Sequence, residues 1–126
     1  MEIYFDGGCS PNPGRMSSCI VACPTSGDVQ PYTMKNLGHG TNNVAEWSGL
    51  IWATVWAKDN GILKCTILGD SKLVICQALR QWKINKPELA ALAEQYWIVA
   101  QGMEIELRHV RREFNLAGIF LEHGTL

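Results

Sequence analysis

The chain has 126 residues, of which 47% are hydrophobic, and a formal net charge of −1. This length is typical of one domain with a self-sufficient core, so we expect a single domain over residues 1–126. The near-neutral charge excludes a global basic field of the kind that attracts nucleic acid. Residues 71–87 nevertheless hold four cations and no acid. These cations are Lys72, Arg80, Lys83 and Lys86.

The cysteine and hydropathy patterns argue against several classes of protein. The five cysteines are scattered without a CxxC pair, and only three histidines accompany them. This usage disfavours a structural zinc site and a disulfide framework. No apolar stretch is as long as a membrane span. We therefore expect a reduced, soluble, cytoplasmic protein that does not act at a membrane.

The first half of the chain predicts three strands and a long helix. "EIYF" (2–5) is a short strand that the turn-forming run "DGGCSPNPG" stops, and residues 17–23 form a second strand. The third, 29–35, contains Pro31, which favours an edge position. Short turns between these strands predict an antiparallel meander. From about 43 to 58 apolar residues recur at helical spacing.

The second half alternates between strands and helices. We expect strands over 64–69 and 103–110. We expect helices over 70–82, 86–102 and 116–123, with Asp70 or Ser71 capping the first of them. Alternation of this kind implies a parallel portion, so the fold class is α/β with a mixed sheet of three antiparallel and two parallel strands flanked by helices.

Three acids lie where strands end or helices begin. Taken singly, Asp6 is typical of a turn because two glycines follow it. Glu46 lies three residues after Asn43, as in a helix capping box, and Asp70 is placed to cap a helix.

Taken together, Asp6, Glu46 and Asp70 can converge at one edge of the sheet. Clustered carboxylates repel one another unless a cation neutralises them. Oxygen ligands without Cys or His favour Mg²⁺ or Mn²⁺, and such clusters commonly support phosphoryl chemistry with two ions.

At four places the chain resembles the type 1 ribonuclease H family. "YFDGGCSPNPG" is similar to its first motif, with a catalytic Asp at Asp6, and "TNNVAEW" to its second, with Glu46. "LGDSKLV" resembles the third motif, with Asp70. "RHVRREFN" resembles the fourth, with a loop histidine at His109 and with Asn115 ahead of the final helix. The four motifs occur in the family's order and on the expected elements.

The resemblance implies a ribonuclease H-like fold and an enzyme that cleaves the RNA strand of RNA/DNA hybrids with two Mg²⁺ ions. Mn²⁺ is the expected substitute, and the products carry 5′-phosphate and 3′-hydroxyl ends. Asp6 would bind both ions, Glu46 and Asp70 one each, and His109 would assist proton movement or product release.

The resemblance also places substrate contacts at seven positions. Asparagine amides both donate and accept hydrogen bonds, which suits the 2′-hydroxyls that distinguish RNA from DNA. Lys72 stands where the family often has a polar amide. Thr41 matches a position that grips a phosphate of the DNA strand, and it is equally well placed to cap the helix. We expect no protein partner and a monomer. The seven positions are Cys9, Asn12, Thr41, Asn42, Asn43, Lys72 and Asn115.

The fourth motif departs from the family in its last part. The family continues with an Asp that is the fourth metal ligand, but here Ile119, or Gly118 if one residue is deleted, occupies that place. Glu122 lies one turn further on, on nearly the same helical face. Helical side chains point back toward the N-terminus, so Glu122 can reach toward the place of the missing Asp. Glu122 is therefore the candidate to replace that Asp as a catalytic metal ligand.

Two other functions stay open on the sequence. The missing Asp is compatible with a domain that binds RNA/DNA hybrids with weak or no catalysis. A related nuclease or resolvase of the same fold is a third interpretation. The compact region "RQWKINKPEL" lacks the basic protrusion of some family members, and we expect its Trp82 to pack in the core.

Overall fold

The computed structural model describes residues 1–34 and 37–126. The strands are β1 (Glu2–Ser10), β2 (Gly14–Cys23), β3 (Gln30–Met34), β4 (His39–Gly40), β5 (Lys64–Gly69) and β6 (Glu104–His109). The helices are α1 (Asn42–Asp59), α2 (Lys72–Ala78), α3 (Pro87–Val99) and α4 (Leu116–His123), with a 3₁₀ turn at Arg112–Phe114. None of the helices in these ranges is long and apolar enough to cross a membrane.

The strands form one mixed sheet in the order β3-β2-β1-β5-β6. β1 to β3 form the expected antiparallel meander, and β1, β5 and β6 are parallel. The register of β1 against β5 aligns Tyr4 with Leu68. The α/β class and the mixed five-stranded sheet are thus confirmed, with the two-residue β4 pairing with β2 as an addition.

The first strand is longer than the sequence predicts. β1 continues through the two glycines to Ser10, and Asp6 pairs with Cys19 of β2. Asp6 is therefore a strand residue, and its interpretation as a turn residue was wrong. The turn lies further on, between Ser10 and Gly14, because the β1–β2 ladder extends until proline interrupts it.

The helix limits differ mainly at α2, which ends at Ala78 and not at residue 82. The chain reverses after α2, and Arg80 in this reversal has a φ of 62°. α1 and α3 agree with the sequence to within a few residues, and β5 and α4 agree at both ends. The predicted end of the third strand, at Lys35, lies outside the described residues.

The main core lies between the sheet and the helices α1 to α3. Its largest fully buried side chains include Trp47, Phe5 and Ile3. A smaller cluster on the other face packs α4, through Ala117, against Cys19 and Val21 of β2. α4 is therefore anchored beside the strand that carries Asp6, which places the residues of the final helix next to the acids.

Trp82 does not join either cluster. Its side chain is 45% exposed, so the expectation of core packing was wrong. α2 ends at Ala78, so Trp82 lies in the segment after the helix and not on its buried face.

Candidate metal centre and its surroundings

Three carboxylates meet where β1, α1 and the end of β5 come together. Asp6, Glu46 and Asp70 each offer a carboxylate oxygen, and these atoms lie within 4.8 Å of one another. Asp6 is 3% exposed and Glu46 is 8% exposed. Within the described ranges, Asp6 Oδ1 and Glu46 Oε2 are buried and have no hydrogen-bond partner. Buried carboxylate oxygens without partners are costly, so this arrangement requires protons or a cation.

A glycine and a serine bring Glu46 to Asp6. A Cβ on Gly7 would lie 2.2 Å from the carbonyl oxygen of Ala45, so only glycine lets α1 approach β1 this closely. The buried Ser18 hydroxyl donates to the same carbonyl at 2.9 Å and fixes that turn of α1 on the sheet. The position of Glu46 is therefore a consequence of packing between α1 and the first two strands.

Asp70 is held by a different contact. The Nδ2 of Asn115 donates to Asp70 Oδ2 at 2.9 Å and to the Phe5 carbonyl at 3.0 Å. The Oδ1 of Asn115 accepts from the Ala117 amide and so caps α4. This single side chain joins β1, the end of β5 and α4 beside the carboxylates.

Electrostatic repulsion and burial act in the same direction at this cluster. Burial, and then the charge of Asp70, raise the pKa of Asp6. Burial, and then the facing Asp6 carboxyl, raise the pKa of Glu46. Protonation or a bound cation relieves the cost of burying these charges. With a cation, the carboxylates stay ionised and serve as its ligands. The residues therefore fit divalent ions that prefer oxygen ligands.

The helix-capping interpretations of two acids were wrong. Thr41 caps α1, with its Oγ1 accepting from the Val44 amide, so Glu46 lies inside the helix and faces the acids. Ser71 caps α2 in the same manner through the Val74 amide. Asp70 is thus not needed as a cap. The expectation that Thr41 is a cap is confirmed, and each cap typically contributes about 1 kcal/mol.

A hydrogen-bonded group of polar residues borders the acids. Asn42 Oδ1 accepts from the Cys9 amide at 3.0 Å and from the Cys9 thiol at 3.3 Å. Asn12 Oδ1 accepts from the Asn42 amide at 3.2 Å. Both amide oxygens are thus used inside the protein, which leaves the Nδ2 groups as the donors for a ligand. Asn43 is half-buried and lines the same cavity as the acids.

The final helix presents Gly118 to the acids. A Cβ at this position would lie 3.3 Å from Asp6 Oδ2 and 3.5 Å from Asp70 Oδ2. Of the two alignments that the sequence allowed, the structure therefore supports the one with Gly118 at the position of the missing Asp. Ile119 is half-buried and is not among the described residues that line the cavity of the acids.

Glu122 lines the cavity that contains the three acids but is not part of their cluster. Its Oε2 lies 3.9 Å from Nη2 of Arg112, and the two side chains are 60% and 66% exposed. An ion pair this exposed is weak and leaves the carboxylate free to turn. Whether Glu122 serves as a ligand stays a prediction.

Three other expected site residues lie differently from the sequence interpretation. His109 ends β6 rather than lying in a loop, and its Nε2 is 3.2 Å from the Asp70 carbonyl oxygen. Asn115 is fully buried, so it supports the acids and cannot contact a substrate. Lys72 is exposed at the start of α2 and is not among the described residues that line the cavity.

Two arginines that were not predicted as site residues, Arg112 and Arg15, line the same cavity of about 630 Å³. Arg112 is near enough to the cluster that its charge lowers the pKa of Asp6, although burial outweighs it. The signal was present as the arginine pair in "RHVRREFN", but the pair does not show which arginine lines the cavity; Arg112 begins the 3₁₀ turn and does so.

Comparison with known proteins identifies the family. A family model described as reverse transcriptase-like matches residues 4–121. The crystal structure of RNase H1 from Halobacterium salinarum superimposes with a TM-score of 0.85 at 30% identity, covering 92% of this chain and 89% of that one. The chain belongs to the reverse transcriptase-like family, in its type 1 ribonuclease H branch.

Other ribonuclease H relatives cover most of the chain. "Bifunctional protein Rv2228c" of Mycobacterium tuberculosis is 33% identical over 113 residues, which are 89% of this chain and 30% of that protein. "Ribonuclease HI" of Halobacterium salinarum is 36% identical over 89 residues, 71% of this chain and 45% of the relative. The chain thus spans less than half the length of these curated relatives.

One solved ribonuclease H neighbour contains a nucleic acid. The structure of LC11-RNase H1 in complex with RNA/DNA hybrid has a TM-score of 0.83 and 25% identity to this chain, covering 91% of this chain and 88% of that one. The ribonuclease H fold expected from the sequence is therefore confirmed.

Proposed function

We propose that this protein is a ribonuclease H that cleaves the RNA strand of RNA/DNA hybrids with divalent metal ions. The observation that carries the proposal is the cluster of three carboxylates with uncompensated buried oxygens at Asp6 and Glu46. Support comes from a relative named ribonuclease HI and from the neighbour solved with an RNA/DNA hybrid.

The metal site would consist of Asp6, Glu46 and Asp70, with Glu122 joining from one turn into α4. Two bound Mg²⁺ ions, or Mn²⁺ in their place, would supply an activated water and charge neutralisation at the scissile phosphate. We further propose 5′-phosphate and 3′-hydroxyl products and a monomer. Asn115 would act as a positioning residue, since it holds the Asp70 carboxylate from a fully buried location.

The substrate would lie along the edge that Asn12, Asn42 and Asn43 share with the acids. Their Nδ2 donors would bind acceptors in the minor groove, including the 2′-oxygens that mark the RNA strand. Thr41 and Cys9 fix this edge through the cap of α1 and the bonds to Asn42. His109, next to the Asp70 backbone, would assist product release.

A cleavage assay tests this proposal. A labelled RNA/DNA hybrid is incubated with the protein in Mg²⁺ and separately in Mn²⁺, beside RNA/RNA and DNA/DNA duplexes of the same sequence. We expect cleavage of the hybrid alone, and its loss in Asp70→Asn. If the parent protein cleaves the hybrid in neither metal, the proposal that it is a ribonuclease H is contradicted.

A hybrid-binding domain with little catalysis is the second candidate, and the bare Gly118 favours it because the usual fourth carboxylate is missing. Binding to the hybrid in a filter or anisotropy assay, without product in either metal, would select this candidate.

A further inference from the structure

A second polar and aromatic cavity lies at the far end of α2 from the acids. Its volume is about 340 Å³, and Trp82, Trp97 and Ile84 supply apolar walls. Arg80 and Glu94 supply charged groups at its edge. The proposed hybrid cleavage uses none of these residues.

The backbone at this cavity is held in an unusual conformation. The Gln81 amide donates to the Cys76 carbonyl at 2.9 Å and the Arg80 amide to the Gln77 carbonyl at 3.0 Å, the pattern of a Schellman motif at a helix end. Glycine is the usual residue at the left-handed position of this motif, but here Arg80 occupies it. Within the described ranges Arg80 is the one non-glycine residue with positive φ, which is a strained choice.

The strained turn directs the guanidinium of Arg80 onto an aromatic ring. Its Cζ lies 3.7 Å from the centroid of Trp97, whose indole nitrogen donates to the Ala78 carbonyl. Gln77 also fixes the loop, because its Nε2 donates to the Lys83 carbonyl. Arg80 and Trp97 are thus pre-organised, while Trp82 lies beside them with 45% of its side chain exposed.

Charge and aromatic character together indicate the occupant. Residues 71–87 carry four cations and no acid in a chain whose net charge is −1. Cations beside an exposed indole are the combination that binds single-stranded nucleic acid, where phosphates meet the cations and bases stack on the ring. Bases within a duplex are already stacked on one another, so Trp82 suits unpaired bases. The Glu94 carboxylate can accept from a base amino group.

We propose that the cavity formed by Arg80, Trp82, Trp97 and Glu94 binds an unpaired strand that continues from the hybrid. α2 begins beside Asp70, and its seven residues span about 10 Å, so the two sites lie close along the same helix. The inference rests on the proposed function, since the hybrid supplies the strand. It would direct the protein to hybrids next to single-stranded regions rather than to isolated hybrids.

The test compares hybrids with and without a tail. The inactive Asp70→Asn protein is titrated by fluorescence anisotropy with a blunt hybrid and with the same hybrid carrying a single-stranded tail of about eight nucleotides, at either end of the DNA strand. We expect one tailed hybrid to bind about tenfold tighter than the blunt hybrid, the gain expected from stacking of an additional base.

Three variants decide the outcome. Trp82→Ala should reduce affinity for the tailed hybrid to that for the blunt one, and Arg80→Gly should do so in part while keeping the turn. Leu63→Ala is the control, because Leu63 is similarly exposed and lies just before β5, at the end of that strand away from Asp70. It should change the affinity for neither the tailed nor the blunt hybrid. In the active protein, Trp82→Ala should leave cleavage of the blunt hybrid within about twofold, because stacking on the tail is absent there.

Equal binding of blunt and tailed hybrids would overturn the inference, as would an equal loss of both in Trp82→Ala. Either result would leave the proposed cleavage of hybrids intact. Failure of the parent protein to cleave or bind any hybrid would instead remove the proposed function.

Discussion

At Gly118 the candidate metal centre lacks the side chain that the resemblance to the ribonuclease H family predicts there. Gly118 faces the Asp6 and Asp70 carboxylates without a side chain of its own, and the next acid along the helix, Glu122, is close to Arg112. Glu is longer than Asp by one methylene, and helical side chains point toward the N-terminus, so Glu122 can turn toward these two carboxylates. The exposed ion pair offers little resistance to this movement.

Loss of Glu122 should therefore weaken metal binding and catalysis. We expect Glu122→Gln to reduce the cleavage rate by roughly 10- to 100-fold and to raise the Mg²⁺ concentration needed, in line with other residues that support metal sites. Calorimetric titration with Mg²⁺ and cleavage rates measure the two effects. Glu2→Gln, which removes an acid far from the cavity, is the control. An unchanged rate and an unchanged Mg²⁺ affinity would exclude Glu122 as a ligand.

The complementary substitution, Gly118→Asp, should rebuild the usual ligand. Its Cβ would lie at 3.3–3.5 Å from the two carboxylates, so the neighbours must shift only slightly. We expect cleavage to rise by about tenfold and the additional Glu122→Gln change to lose its effect. A double-mutant cycle on cleavage rates measures this coupling. Independent, additive effects would show that the two positions do not serve the same site.

At the scale of helices and strands, the approach of α1 to β1 sets the geometry of the acids. Gly7→Ala would place a methyl group 2.2 Å from the Ala45 carbonyl oxygen, which must move. We expect a loss of about 1–3 kcal/mol in the free energy of unfolding, measured by urea denaturation, since this is typical of overpacking. Gly8→Ala is the matched control, because its Cβ would make an ordinary 3.8 Å contact. Equal stabilities of the two variants would refute this account.

The elements differ in how far the sequence predicts them, and local signals explain why. β5 and α4 agree with their predictions because turn residues or caps bound each apolar run. β1 was predicted too short because Gly7 and Gly8 are typical of turns, whereas their strand pairing depends on distant residues of β2. α2 was predicted too long because Arg80 is not a usual helix-ending residue.

The site was predictable to the extent that motifs mark it. Asp6, Glu46 and Asp70 were chosen from the sequence, and the structure brings them together. The burial of Asn115 and the position of Arg112 depend on how α4 and its preceding turn pack against β1, which no local pattern encodes. The exposure of Trp82 was missed because α2 ends at Ala78, before Trp82.

Across the whole molecule, the cluster of Asp6, Glu46 and Asp70 opposes stability when no cation neutralises it. Burial raises the folded-state pKa of Asp6 and Glu46 above the ordinary values of 3.8 and 4.5. Groups with raised pKa contribute stability at pH below those ordinary values and lose that contribution as the pH rises toward the folded-state values. The metal-free protein should therefore lose stability from this source as the pH rises above about 4.5.

This linkage makes the effect of metal depend on pH. Because a divalent ion binds the ionised carboxylates, Mg²⁺ should raise the Tm more at pH 8 than at pH 6. Without metal, the Tm of Glu46→Gln should fall less than that of the parent as the pH rises from 6 to 8. Mg²⁺ should also raise the Tm of this variant less than that of the parent. Differential scanning fluorimetry with and without EDTA measures both, with Glu2→Gln again as the control. A Mg²⁺ effect that shrinks as the pH rises would contradict the assigned direction.

The register between β1 and β5 has a consequence for ion size. Tyr4 pairs with Leu68, and Asp6 and Asp70 each follow two residues later, Asp70 just past the end of β5. Both acids thus leave a part of the sheet whose strands are held about 4.8 Å apart by hydrogen bonds. The carboxylates would therefore adjust to an ion mainly by rotation of their side chains. The smaller Mg²⁺ demands near-ideal geometry and the larger Ca²⁺ accepts a flexible one, so the fixed start of both side chains would restrict Mg²⁺ more than Ca²⁺.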